Sequence, residues 1–323
     1  MSQKIRVAII GAGYFGRNHA RHFAANPRAE LTAVVDVVDD KARALSSEFG
    51  GEVVLDYRQL FGRIDAASVV VPTPNHFAIV RDLLKAGIHV LVEKPMTHDL
   101  KSADALVKLA EGQQKVLMVG QIERFSAGYI GLAKLVRNPL YFESYRIAPF
   151  RERGSDVDVV FDLMIHDIDM ILGLVDSKVE SVEAVGTPLF SDKADVANAR
   201  IMFASGCVAN VTASRVSYKM ERVLRVFQPQ SYLVCNFIEN QIFGYKMTGD
   251  LATEGAAAIS QETLTLEKSD SLANEIDEFL DCIAKSRPPK VDVRAGREAV
   301  RVASMINDSI AQHRRKLGTR AKR

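Results

Sequence analysis

The chain has no tryptophan, only three cysteines, and no apolar run near the roughly 20 residues of a membrane-spanning helix. Each absence excludes something. Cys207, Cys235 and Cys282 are few, widely spaced and odd in number. That argues against a disulfide framework or a cysteine-rich zinc cluster and fits reduced thiols in a cytoplasmic protein. The net charge is only +2, too small for a field that gathers nucleic acid non-specifically. The N-terminus runs into an apolar strand with no signal peptide, so neither a membrane nor a nucleic acid is expected as a partner. The basic end, His313-Arg314-Arg315-Lys316 and then Arg320 to Arg323, reads as a solvated tail.

The rest of the composition is that of a globular protein, with 47% hydrophobic and 25% charged residues. At 323 residues the chain is long for one core, which predicts two domains. Its most informative stretch is Ile5-Arg6-Val7-Ala8-Ile9-Ile10-Gly11-Ala12-Gly13-Tyr14-Phe15-Gly16, with Asp36 twenty positions after Gly16. Residues 5–10 read as a buried parallel strand. Gly11 permits a tight turn, Gly13 lets the backbone approach a pyrophosphate, and Gly16 lets helix and strand pack closely. The following helix, opening at Tyr14 and Phe15, points its first N–H groups at the phosphates. A second strand at 31–35 ends on Asp36, whose carboxylate suits a ribose 2′-hydroxyl and repels a 2′-phosphate. Val37 and Val38 offer no basic replacement, so NAD is expected rather than NADP. The alternative for Asp36 is a cap on the next helix.

The alternation continues. Strands at 52–55, 67–71, 89–92 and 116–120 are separated by helical stretches near 41–49, 57–61, 76–86 and 100–111. Six such strands predict an α/β fold with a doubly wound parallel sheet. Ligands of these sheets lie beyond the strands' carboxyl ends, where Thr73, Asn75, His76, Glu93 and Lys94 fall and where Gln121 follows the sixth strand. The second half reads as strands at 142–147, 179–186, 197–203, 207–214, 224–228, 232–237 and 241–245, with a hairpin turn at Gly206. Helices resume at 272–285 and 294–312. The boundary is drawn at 121, giving a cofactor domain at 1–121 and a substrate and oligomerisation domain at 122–323.

The series Pro-x-Pro-Asn-His, Glu-Lys-Pro, Gly-x-x-x-Arg-Phe (Gly120, Arg124, Phe125) and Asp-x-x-x-His resembles the glucose–fructose oxidoreductase / inositol dehydrogenase / MocA-type family across essentially the whole chain. The resemblance implies a Rossmann domain followed by an α+β domain with an open, mostly antiparallel sheet. One face of that sheet covers the nicotinamide and the other commonly forms subunit contacts, so a homo-oligomer is expected.

Oxidising an alcohol requires a proton acceptor and support for the developing alkoxide. Lys94 is one candidate, since Leu91, Val92 and Pro95 limit its solvation and so favour its neutral form. The alternative is a structural cation paired with Glu93 or a phosphate. Asp162 and His166, four apart, share one face of a helix whose packed sides are Leu163, Met164, Ile165, Ile168, Ile171 and Leu172. By the family's pattern His166 is the base, and Asp162 binds sugar hydroxyls or orients the lysine. The alternative is a core histidine with a capping aspartate. Asp167 and Asp169 are expected in solvent or at a subunit contact. No metal is expected, because His166, Asp162 and Glu93 have no cysteine among them and the lysine competes for the carboxylates.

Arg151 and Arg153, and later Arg215, Tyr218 and Lys219, supply charge and an aromatic ring suited to a nucleoside diphosphate. A charged sheet face is the alternative. Asp-Leu-x-Ile-His-Asp-Ile-Asp, Ala-Ser-Arg-Val-Ser and Arg-x-Phe-Gln-Pro resemble the family's nucleotide-sugar 3-dehydrogenases. That branch implies oxidation of C3 of UDP-N-acetylglucosamine, with an aminotransferase partner making a 3-amino sugar for lipid A or other surface glycans. A dehydrogenase of a free polyol such as an inositol and a non-catalytic NAD-sensing protein remain as alternatives. One departure stands out: Val159-Val160-Phe161 precedes the helix where many relatives carry glycines.

Overall fold

A computed structural model describes residues 3–150 and 157–320, the side chains of 318–320 excepted. The first sheet is built from β1 (Ile5–Ile10), β2 (Ala29–Val35), β3 (Glu52–Val54), β4 (Ala66–Val69), β5 (His89–Glu93) and β6 (Leu117–Gly120). Between them run α1 (Tyr14–Ala25), α2 (Asp39–Phe49), α3 (His76–Lys85) and α4 (Leu100–Gln113). All six strands are parallel, in the order β3-β2-β1-β4-β5-β6. Val7, Ala8 and Ile9 of β1 and every residue of β4 are buried, as continuous apolar runs covered on both faces must be. The order turns back after β1, which has β2 on one side and β4 on the other. The C-terminal edge there is the crevice in which this topology holds ligands.

The second sheet has eight strands in the order β14-β13-β12-β11-β7-β10-β9-β8. In chain order its region comprises α5 (Ala127–Leu135), β7 (Tyr141–Ile147), a π-helical turn at Val160–Met164, α6 (Ile165–Leu172), β8 (Val179–Thr187), β9 (Val196–Phe203), β10 (Val208–Ser214), β11 (Glu221–Gln228), β12 (Ser231–Asn236), β13 (Gln241–Met247), α7 (Leu251–Glu254) and β14 (Ile259–Thr265). The chain ends with α8 (Ser271–Lys285) and α9 (Val293–Arg320). Only the β7–β10 pair is parallel; the other neighbours are antiparallel. One face of this sheet carries the core, with Phe142, Val211, Leu224, Val226 and Cys235 packed with Met164, Ile168 and Ile171 around α6 and with Ile306 of α9. The period of two places Tyr141, Tyr145, Phe227 and Tyr232 on the opposite, half-buried face. Gly206 turns the β9–β10 hairpin with φ of +87°.

The chain does not divide at one point. Residues 1–125 and 270–300 form one compact unit, and residues 126–269 and 301–323 the other. The boundary expected at 121 therefore falls at 125, and α8 belongs with the parallel sheet. Arg28, just ahead of β2, ion-pairs with Asp277 and Asp281 of α8, and the Asn26 amide donates to Asp277 at 2.7 Å. Among the described residues no helix is long and apolar enough to cross a membrane.

Candidate active site

The glycine turn has the geometry its sequence demands. Gly11 has φ of +109°, and a Cβ there would sit 2.6 Å from the Val70 carbonyl oxygen. A Cβ on Gly16 would collide with the Gly11 carbonyl, so helix and turn can approach only without side chains. Over Gly13 there is open space, and α1 starts after it with no side-chain cap. An open backbone cradle at a helix N-terminus fits a pyrophosphate. Tyr14 and Phe15, mostly exposed and packed edge to face at 5.6 Å, flank this opening.

Asp36 closes the same crevice from the end of β2. Its Oδ2 accepts the Ala12 N–H at 2.8 Å and its Oδ1 accepts the Val38 N–H at 2.9 Å. Each oxygen keeps a lone pair for a ribose hydroxyl. The helix-cap alternative fails, because the N-cap of α2 is Val38. Arg43, seven residues further along the chain than Asp36, is tied to Asp39 at 2.7 Å. Nothing in this arrangement would receive a 2′-phosphate, whereas NAD fits it. Gln121, just past β6, adds a second sign of fit: its side-chain oxygen is buried and has no hydrogen-bond partner among the described residues. A buried acceptor of that kind needs a donor such as a ligand amide or hydroxyl.

The other expected residues of this unit gather at the same sheet edge. Thr73 and Asn75 form a short 3₁₀ turn after β4, Thr73 half-buried and Asn75 exposed. His76 differs from expectation. Its ring is buried, with Nδ1 2.9 Å from the Pro95 carbonyl and Nε2 2.8 Å from the Val71 carbonyl. Burial holds this imidazole below the ordinary histidine range against the pull of the two carbonyls. A neutral ring has one N–H to donate between these two carbonyls, and the buried imidazole sits between the Glu93-Lys94-Pro95 loop and the end of β4. Glu93 and Lys94 are half-buried at the end of β5, and the Lys94–Pro95 peptide is cis.

In the second unit Asp162 lies within the π turn and His166 in the first turn of α6, both half-buried. The uniform α-helix expected across them is interrupted by the π turn at Val160–Met164, where Val160, like Val159 just before it, is fully buried. Asp167 and Asp169, expected in solvent or at a subunit contact, are both only 2% exposed within the single chain. Asp167 is bound by Arg146 of β7 at 2.7 and 3.3 Å, which fixes α6 one residue from His166. The signal was in β7, whose alternation puts Arg146 on the core face, where a guanidinium requires a counter-charge.

Arg215 is likewise corrected. It is 4% exposed, and its guanidinium binds Asp195 at 2.8 Å, the Val157 carbonyl at 2.7 Å and the Ser191 hydroxyl at 3.0 Å. Asp195 also accepts the N–H groups of Leu189, Phe190 and Ser191, and this set of donors holds its carboxyl well below the usual range despite burial. Arg215 is the clasp of that loop, too enclosed to serve a diphosphate. Tyr218, 93% exposed, and Lys219, paired with Glu221 at 2.9 Å, remain on the surface after β10. Arg151 and Arg153 lie outside the described residues. Among the described residues one trio, His19, Glu93 and Glu275, brings possible metal-ligand atoms within 4.8 Å of one another. It shares only Glu93 with the trio weighed from the sequence.

Residues 5–121 match the oxidoreductase family with an NAD-binding Rossmann fold, and residues 126–233 match the GFO/IDH/MocA C-terminal domain. The chain is 36% identical to the UDP-N-acetylglucosamine 3-dehydrogenase of Acidithiobacillus ferrooxidans, over 95% of this chain and 97% of that one. A solved structure of that enzyme superposes with a TM-score of 0.90, covering 96% of this chain and 98% of the other. The inositol 2-dehydrogenase of Rhizobium meliloti is 26% identical over 96% of this chain and 98% of its own. With its parallel NAD-binding sheet, its mostly antiparallel second sheet and both halves matched, this chain belongs to the GFO/IDH/MocA family of NAD-dependent dehydrogenases.

Proposed function

We propose that this protein oxidises the C3 hydroxyl of a nucleotide sugar, UDP-N-acetylglucosamine, to its 3-keto form. The observation that carries this reading is 36% identity through almost the whole chain to an enzyme named for that reaction, against 26% for an inositol dehydrogenase of similar coverage. In this reading the unit of residues 1–125 and 270–300 holds the cofactor, and the unit of residues 126–269 and 301–323 serves the sugar and the subunit contacts. The enzyme works in the cytoplasm, consistent with three buried free thiols, and its keto product passes to an aminotransferase.

NAD, when bound, takes the hydride from the carbinol carbon. Gly11, Gly13, Tyr14, Phe15 and Gly16 serve its pyrophosphate, Asp36 its ribose, and Thr73, Asn75, Glu93 and Gln121 its nicotinamide half. His166 accepts the C3 hydroxyl proton and returns it in the reverse reaction. Lys94 steadies the developing alkoxide by donating a hydrogen bond to it. Asp162 accepts hydrogen bonds from neighbouring hydroxyls and so orients the ring. The uridine diphosphate falls to Arg151, Arg153, Tyr218 and Lys219. Subunits associate through the aromatic face of the second sheet.

The test is a panel of UDP-sugars, free sugars and inositols, followed by NADH formation. UDP-N-acetylglucosamine should be oxidised efficiently, and free N-acetylglucosamine hardly at all. Oxidation of inositol or the free sugar with no gain from the nucleotide would overturn the reading. Lys94→Ala and His166→Ala should each lower kcat by about 10²–10⁴ while NADH still binds. Cofactor binding with no turnover on any member of the panel would favour an NAD sensor.

A further inference from the structure

We infer that His19, held by Ser68, is a positioning residue for Lys94 and acts through the carboxylate of Glu93. This inference rests on the role proposed above for Lys94. His19 lies on α1, one turn past the glycine motif, and is 1% exposed, too enclosed to meet a ligand. Its Nδ1 is 2.8 Å from the Ser68 hydroxyl on β4, which is fully buried, and its Nε2 is 3.2 Å from Oε1 of Glu93. The other Glu93 oxygen, Oε2, accepts the backbone N–H of Lys94 at 3.2 Å. In a neutral imidazole one assignment satisfies both contacts. The Ser68 hydroxyl donates to Nδ1, and Nε2–H donates to Glu93.

The carboxylate has little freedom to settle elsewhere. A Cβ on Gly120 of β6 would lie 3.3 Å from the Cα, Cδ and Oε1 of Glu93, so the neighbouring strand closes on it from that side. Glu275 of α8 approaches the same group, with a carboxylate oxygen within 4.8 Å of the His19 and Glu93 atoms. A half-buried carboxylate beside a second one moves unless a donor fixes it, and the imidazole is that donor. The result is a hydrogen-bonded line from β4 through α1 to the backbone at which the Lys94 side chain begins. Hydrogen-bonded support of this kind governs how closely a catalytic group is held to its working geometry.

His19→Leu removes the donor and His19→Gln restores an N–H at a similar reach. Ser68→Ala is the milder perturbation should the buried leucine prevent folding. With UDP-N-acetylglucosamine and NAD, His19→Leu should lower kcat by about 10- to 100-fold, as loss of a positioned group does. KM for the sugar should stay within about twofold because His19 itself meets no ligand, and NADH fluorescence should show that the cofactor still binds. His19→Gln should recover most of the rate and Ser68→Ala should lose several-fold. A second readout needs no turnover. After reductive ¹³C-methylation, the Lys94 signal, assigned by its absence in Lys94→Arg, should move in His19→Leu and return in His19→Gln. A folded His19→Leu enzyme with unchanged kcat and an unmoved Lys94 signal would overturn the inference while leaving the Lys94 reading intact. Full turnover by Lys94→Ala would remove both.

Discussion

Asp36 does two things with one carboxylate: it ties the glycine turn to the end of β2 and leaves lone pairs for a ribose. Asp36→Ser combined with Val37→Arg should therefore move the preference from NAD toward NADP, since it removes a repelling charge and adds a guanidinium at an exposed position. Comparing the affinities of the two cofactors in both proteins checks this, and equal affinities in the unmodified protein would defeat it. Arg215 carries the opposite lesson. Its charge reads in the sequence like a phosphate ligand, yet it is buried against Asp195. Arg215→Ala should cost about 3–5 kcal/mol of stability, because Asp195 would be left charged and buried. In urea denaturation the loss should appear as a lower midpoint. A variant as stable as the parent, with only KM for the UDP-sugar raised, would return Arg215 to the diphosphate.

At the scale of elements, the parallel sheet was legible because most of its strands are mainly apolar runs that end in a turn motif. The shifts are of one to two residues, as at β4, read as 67–71 and found at Ala66–Val69. Three elements stayed hidden, one of them the four-residue α7 (Leu251–Glu254). Strand β14 (Ile259–Thr265) is an exposed edge with no buried alternation for a pattern to follow. Helix α5 contains Gly128 and Gly131, residues of low helix propensity that weaken its pattern. In the fold a Cβ on Gly128 would meet the Phe237 ring at 2.8 Å, so the glycine serves close packing. The π turn at Val160–Met164 also escaped, since its residues suit an α-helix equally well. The β5–β6 pairing carries a pH dependence. His89 Nδ1 accepts the Val116 N–H at 3.0 Å, which a neutral ring alone can do. Burial, aided by the charge of Lys115, lowers its pKa from 6.5 to about 4. The unfolded chain therefore binds the proton first. The stability this ring contributes is complete above about 6.5, drains as pH falls, and is gone once pH passes about 4. His89→Gln should flatten the fall of melting temperature with pH across that window. An unchanged slope would mean that other groups govern it.

At the scale of the whole molecule, the second sheet has a core on one face and an aromatic row on the other. Tyr141 and Phe227 lie 5.3 Å apart between ring centres, Phe227 and Tyr232 4.6 Å, and Tyr232 and Tyr245 6.4 Å. The row crosses β7, β11, β12 and β13, and the same face carries the Arg225–Glu143 ion pair at 3.1 Å. A contiguous apolar strip rimmed by charge is what a self-complementary interface presents, with the same patch on both subunits. Neither half of the motif-bearing sequence announces this, because each aromatic residue alone is an ordinary strand former. The proposed association predicts a dimer or tetramer by light scattering during gel filtration. Placing carboxylates in the strip with Phe227→Glu and Tyr232→Glu should lower the mass toward that of one chain, since like charges would then oppose each other across the interface. The core face of β11 and β12, with Leu224, Val226, Leu233 and Cys235, is untouched by these changes, so circular dichroism should keep its native form. A double variant of unchanged mass would put the subunit contact on another surface, and a monomeric parent would leave the aromatic row without a partner.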